Sequence, residues 1–95
     1  VYSAAMNVEG FVAPGFERVR DAFASGLADE LGASFAAVRD GGVVVDLWGG
    51  WADREQTRPW KRDTIAPVYS TTKGVAALAI AKLCDEGKLD YDAPV

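Results

Sequence analysis

Ser70-Thr71-Thr72-Lys73 pairs a hydroxyl with an amine three residues apart, a spacing that places both on one side of a helical turn. A serine hydroxyl is a weak nucleophile and needs a neighbouring base. The sequence contains no histidine, so a Ser-His-Asp or Cys-His arrangement cannot be built from these residues. At a helix start the unpaired N–H groups and the positive end of the dipole favour negative charge developing on Ser70. The same field disfavours an ammonium at Lys73, and burial would act in the same direction, toward a neutral amine able to accept a proton.

A structural alternative stands beside this one. Ser and Thr are favoured N-caps, so Ser70, Thr71 or Thr72 can simply satisfy helix-end donors. A Ser-x-x-Lys match also arises readily by chance. Two features speak for chemistry. Of the four serines only Ser70 has the lysine. A capping box would carry Glu or Gln where Lys73 stands, and a cation there is electrostatically wrong for capping alone.

The elements that must position this pair can be read from periodicity. Phe16, Val19, Phe23, Leu27 and Leu31 recur at three- and four-residue spacing, which predicts an amphipathic helix from about Pro14 to Leu31, stopped by Gly32. Two strands, Ser34 to Arg39 and Val43 to Trp48, flank Asp40-Gly41-Gly42, whose residues supply the positive φ of a tight hairpin. Both faces of the second strand are largely apolar, so a layer is expected on each side, and Gly49-Gly50 is expected to break it.

Trp51 to Asp63 reads as a polar, solvated loop with charges of mixed sign. Trp48, Trp51 and Trp60 are expected to pack the sheet edge rather than line a site. A second helix, from about Thr71 to Glu86, is apolar nearly all round and is expected to be buried by the rest of a larger protein, these residues alone leaving its apolar surface open. Gly87 ends it. Cys84 reads as a small core residue rather than a reactive thiol.

Composition narrows the function. The 95 residues are 49% hydrophobic and 25% charged, a globular balance. Ten Lys/Arg against fourteen Asp/Glu give a net charge of −4, which argues against a nucleic-acid or anionic-membrane footprint. No apolar run approaches the length of a membrane span. One cysteine excludes an internal disulfide and a multi-cysteine metal site and fits a reducing compartment, so a cytoplasmic location is expected. No metal or organic cofactor is implied. Residues 1–7 are expected to be extraneous or disordered. The Leu89-Asp90-Tyr91-Asp92-Ala93-Pro94-Val95 end reads as the front piece of something longer.

Asp63-Thr64-Ile65, Tyr69-Ser70-Thr71-Thr72-Lys73-Gly74, Gly87-Lys88-Leu89-Asp90 and Asp92-Ala93-Pro94-Val95, in that order, resemble the serine β-lactamase and penicillin-binding-protein superfamily. The likeness is greatest to its class C branch, including the family VIII carboxylesterases. Val12-Ala13-Pro14-Gly15-Phe16-Glu17, Val45-Asp46-Leu47-Trp48-Gly49-Gly50 and Ala52-Asp53 strengthen the esterase-like side, so the resemblance covers about Val8 to Val95.

The resemblance implies an α/β fold of the α+β sandwich type, helices on an antiparallel sheet beside a mostly helical domain. Residues 1–95 would be the N-terminal part of one such domain. It implies Ser70 as acylated nucleophile, Lys73 as its base, the Ser70 N–H as one oxyanion donor, and a small ester or amide as substrate. The alternatives are β-lactam or D-alanyl peptide hydrolysis, or a non-catalytic binding domain of the same fold. The family's Tyr-x-Asn-like and Lys/His/Trp-x-Gly-like elements are not in this sequence. Tyr2, Tyr69 and Tyr91 lack the matching context, so the 95 residues are expected to be inactive alone.

Overall fold

The computed structural model describes residues 7–95. The expectation for the leading residues lies outside those described, except that the backbone of Asn7 runs beside Gly49. The chain forms two compact units, one ending at Thr64 and the other spanning Ile65–Val95.

In the first unit, β1 (Val8–Val12), α1 (Glu17–Leu27), β2 (Gly32–Arg39) and β3 (Gly42–Gly50) make a three-stranded antiparallel sheet with a helix against it. The strand order is β1-β3-β2, so β3 is bonded on both edges. Its alternate residues Val45 and Leu47 are fully buried together with Leu27 of α1. The hairpin forms as its sequence requires. Arg39 pairs with Gly42, and the two residues between, Asp40 and Gly41, have φ of 51° and 79°, the type I′ pattern.

Four expectations are corrected. The first helix starts later than Pro14, because Pro14 and Gly15 form a turn in which the Phe16 N–H donates to Ala13 O at 3.0 Å. Glu17 then accepts from the Gly15 N–H at 2.9 Å, a carboxylate placed at the positive end of the helix. The helix also ends earlier, at Leu27, where the chain passes through turns and bends at 28–31, and the Leu31 carbonyl accepts from the Trp51 N–H at 2.8 Å.

Gly49 and Gly50 do not break β3. Gly49 pairs with both Val8 and Ala33. Gly50 takes a φ of 83°, and a Cβ there would lie 2.4 Å from Leu31 O, so the strand needs glycine to continue. The unforeseen strand β1 is similar. At φ 111° Gly10 brings the chain so close to β3 that a Cβ would meet Asp46 O at 2.0 Å.

On the face of β3 opposite Val45 and Leu47, the expected second layer is replaced by polar reach. Trp48 Nε1 donates to Glu9 Oε2 at 3.2 Å, and the Arg62 guanidinium pairs with Asp46 at 2.7 Å.

The 51–63 segment is ordered around Asp53. Its carboxylate accepts from the Thr57 hydroxyl, the Thr57 N–H at 3.0 Å and the Arg58 N–H at 2.9 Å. Beyond this turn Trp51 bridges to Pro59, and the Trp60 N–H donates to Gly50 O at 2.9 Å. The three tryptophans are half-buried around the sheet, as expected of packing residues.

In the second unit, α2 (Thr71–Asp85) ends in a Schellman motif: Gly87 at φ 74°, with the Lys88 N–H bonded to Leu83 O at 2.9 Å. These residues by themselves leave the helix open, as expected of the chain taken alone. No residue of α2 is buried, and Val75 and Leu78 are 61% and 71% exposed. The physical reason is simple: a unit of one helix with its flanking turns has no second apolar layer to offer it. Cys84 is half-buried. No helix among the described residues is long and apolar enough to cross a membrane.

Leu47→Ala is expected to cost about 3 kcal/mol in denaturant unfolding, because the side chain is wholly enclosed. The hydrogen bonds to Asp53, first that from the Thr57 hydroxyl and then that from the Arg58 N–H, hold its carboxyl below the ordinary value of 3.8. The stability it contributes is therefore full above that value and is lost as pH falls from there through the lowered folded-state value. Asp53→Ala should lower the melting temperature at neutral pH, and the gap from wild type should narrow in acid; a gap independent of pH would deny the carboxylate this role.

Candidate active site at the start of α2

The approach to α2 has no regular secondary structure and is exposed, with Ile65, Val68 and Tyr69 all open to solvent. A turn follows in which the Thr71 N–H donates to Val68 O at 3.1 Å, and two further bonds of the same span, Thr72 N–H to Tyr69 O and Lys73 N–H to Ser70 O, wind the chain into the helix. These tight i to i+3 bonds are common where an α-helix begins.

Ser70 occupies the N-cap position, yet it does not behave as a capping serine. Its backbone, at φ −66° and ψ −14°, is right-handed helical, and its hydroxyl makes no cap hydrogen bond. A serine whose side chain caps a helix takes an extended backbone and bonds the N–H two or three residues on. Ser70 Oγ instead accepts from Lys73 Nζ at 3.2 Å. The structure thus brings together the two residues that the sequence singled out. In the ammonium state Lys73 donates this bond; with the proton removed from nitrogen, the same contact lets the serine hydroxyl donate to the amine. That reversal is the geometry a general base requires.

Ser70 and Lys73 are both exposed, so the apolar surroundings anticipated for the lysine are not supplied by this chain. Thr71 and Thr72 are exposed as well and engage the turn through their N–H groups. Among the described residues no acceptor is found for the Ser70 N–H, which therefore remains available at the positive end of the helix.

Tyr69 carries a feature that sequence reasoning missed. Its φ is 49°, a left-handed value that a bulky residue adopts at a cost of about 1–3 kcal/mol. Nothing in the sequence signals this, since tyrosine has no preference for that region. Among the described residues no group of three or more His, Cys, Asp or Glu side chains is arranged to hold a metal ion.

An antiparallel sheet with a helix against it, and a separate helix opening on a Ser-x-x-Lys pair in hydrogen-bond contact, define the class to which the comparisons also point. The Beta-lactamase family profile matches residues 19–95. The chain belongs to the serine β-lactamase and penicillin-binding-protein superfamily, on its esterase-like side.

It is 44% identical over 94 residues to the esterase/beta-lactamase LipL of Mycobacterium tuberculosis, covering 97% of this chain and 22% of that protein. It is 40% identical over 65 residues to the esterase EstB of Burkholderia gladioli, covering 68% of this chain and 17% of that protein. The crystal structure of a penicillin-binding protein homologue from Caulobacter crescentus superposes with a TM-score of 0.81 at 50% identity, over 90% of this chain and 24% of that one. The chain thus spans about a quarter or less of the length of these relatives.

Because Ser70 makes no cap bond, Ser70→Ala in the full-length protein is expected to change unfolding free energy by less than about 0.5 kcal/mol, against about 1 kcal/mol for loss of a capping serine. Chemical denaturation of the two proteins measures the difference; a loss at the capping value would restore the structural reading of Ser70.

Proposed function

We propose that the protein is a serine hydrolase that cleaves carboxylic esters through an acyl-Ser70 intermediate, with Lys73 as the base. The observation that carries this reading is the Lys73 Nζ to Ser70 Oγ contact of 3.2 Å at a serine that does not cap its helix. Lys73, as a neutral amine, takes the Ser70 proton while Oγ attacks the ester carbonyl. The carbonyl oxygen becomes an oxyanion, and the Ser70 N–H at the helix end is one donor aimed at it. Collapse expels the alcohol, which takes up the proton held by Lys73. Water then attacks the acyl-Ser70 carbonyl and releases the acid.

These 95 residues supply the nucleophile, the base and one oxyanion donor, and we assign the rest of the apparatus to residues outside them. A cytoplasmic location accompanies the reading, with the single half-buried Cys84 consistent with a reducing compartment. A second reading, hydrolysis of β-lactams or D-alanyl peptides by the same groups, is favoured by two likenesses. One relative is named both esterase and beta-lactamase, and the matching crystal structure is of a penicillin-binding protein homologue.

The test is acylation of the full-length protein by a fluorophosphonate probe, with turnover of a nitrophenyl ester and of a chromogenic cephalosporin. Wild type should label and Ser70→Ala should not; equal labelling of the two would end the nucleophile assignment. Lys73→Ala and Lys73→Arg should each slow acylation by about a hundredfold or more, because arginine stays charged and cannot accept the proton. Near-normal acylation by Lys73→Arg would remove Lys73 as the base. Cephalosporin turnover without ester turnover would favour the second reading over the first.

A further inference from the structure

Asp46 is an unfavourable residue for its place in β3. It stands mid-strand, paired with Phe11 on one side and Ala36 on the other, and its side chain is 24% exposed. Aspartate is disfavoured in strands, and a carboxylate partly withdrawn from water is costly unless it is paired. Its partner is Arg62, whose Nε donates to Asp46 Oδ2 at 2.7 Å. The pair is a poor source of stability, because the guanidinium is 73% exposed and ion pairs open to water contribute little. A residue that breaks the local rules of its strand for so small a gain points to a task outside the strand.

The position of Arg62 shows what that task is. Arg62 and Asp63 are the central residues of the 61–64 turn, which is closed twice. The Thr64 N–H donates to Lys61 O at 3.1 Å, and Thr64 Oγ1 accepts from the Lys61 N–H at 2.8 Å. Just before it, the Trp60 N–H donates to Gly50 O at 2.9 Å and holds the chain to the end of β3. Arg62 then fastens the turn to the middle of the same strand. Thr64 ends the first unit, and only residues 65–69 separate it from Ser70. Pro67 has a fixed φ and restricts Ala66 before it, so this connection has fewer soft dihedrals than its length suggests.

We infer that Asp46 and Arg62 are positioning residues for acylation: their ion pair fixes the turn from which the chain departs toward Ser70, and it acts on the nucleophile through the backbone of 65–69 rather than by touching it. This rests on the reading of Ser70 as nucleophile. It differs from a purely structural role, because a pair that only braced the sheet would change melting and leave the acylation rate of the folded protein as it was.

The experiment measures second-order fluorophosphonate labelling, ester kcat/KM and melting temperature for full-length wild type, Asp46→Ala, Arg62→Ala, the double variant and Arg62→Lys. Each alanine variant should lose about tenfold in labelling and in kcat/KM, within the range of up to about a hundredfold that a 1 Å misplacement from a remote site can cost. The double variant should be no slower than either single one, because the second substitution finds the pair already broken. Arg62→Lys should stay within about threefold of wild type, since the contact uses one nitrogen and not the planar fork. Wild-type labelling in both alanine variants would overturn the inference, even with lowered melting temperatures, as would losses that multiply in the double variant. If Asp46→Ala does not fold, the exposed Arg62 decides: slow labelling by Arg62→Ala that Arg62→Lys restores supports the inference, and any other result overturns it. Ser70→Ala, run in parallel, reports separately on the nucleophile, since its labelling like wild type would remove the underlying reading whatever the Asp46 and Arg62 series shows.

Discussion

The first unit depends on the double pairing of β3. With β1 on one edge and β2 on the other, every backbone group of its middle is engaged, and its side chains can only alternate between two faces. Val45 and Leu47 are enclosed on one face with Leu27, and Val44, Asp46 and Trp48 lie on the other. A slip of one residue would put Asp46 beneath the helix and Leu47 outside. An unpaired carboxylate in that position is far more costly than the half-exposed site it has, where Arg62 reaches it. The register therefore resists change, and it extends past the strand. Trp51 and Trp60 continue the bonding through Leu31 and Gly50, so the loop that Asp53 organises is tied to the same sheet.

The start of α2 depends on a competition for one hydroxyl. At a helix start, Ser70 Oγ can bond an orphan N–H or a neighbouring side chain. Its right-handed backbone places it poorly for the first, and Lys73, one turn on, receives it instead. The left-handed Tyr69 just before Ser70 belongs to the same arrangement, since the direction from which the chain enters the turn determines which N–H groups are already bonded. A serine, a lysine and one unfavourable φ thus constitute a local device. The apolar surface of α2 is separate from it. Val75, Leu78 and Ile80 carry hydrophobic area that no layer of this unit encloses.

Much of this was legible in the residues. Asp40-Gly41 produced the turn it announces, the Phe16, Val19, Phe23 and Leu27 stripe lies on the buried side of a helix, and α2 begins and ends within a residue of where its apolar run and Gly87 placed it. Other features were hidden for physical reasons. β1 is unreadable locally, because Gly10 weakens a short strand whose stability comes from pairing with residues far along the chain. Gly49 and Gly50 look like a break, and only the closeness of Leu31 and Gly32 shows that glycine is what lets the pairing continue. Asp53 looked like one charge among several until the N–H groups of Thr57 and Arg58 were found converging on it.

What this sequence determined by itself are the features with short reach: helical and strand periods, the hairpin turn, the helix stop at Gly87, and the three-residue separation of Ser70 and Lys73. Each involves groups within one or two turns of each other, so residue type and spacing suffice. The tertiary structure alone decided which strands pair and which of the apolar residues are enclosed, and the backbone of one turn decided that Ser70 meets Lys73 rather than capping its helix and that Tyr69 is left-handed. Those outcomes depend on close approach between segments, or on a balance among competing hydrogen bonds, and neither is set by the preferences of a residue taken alone.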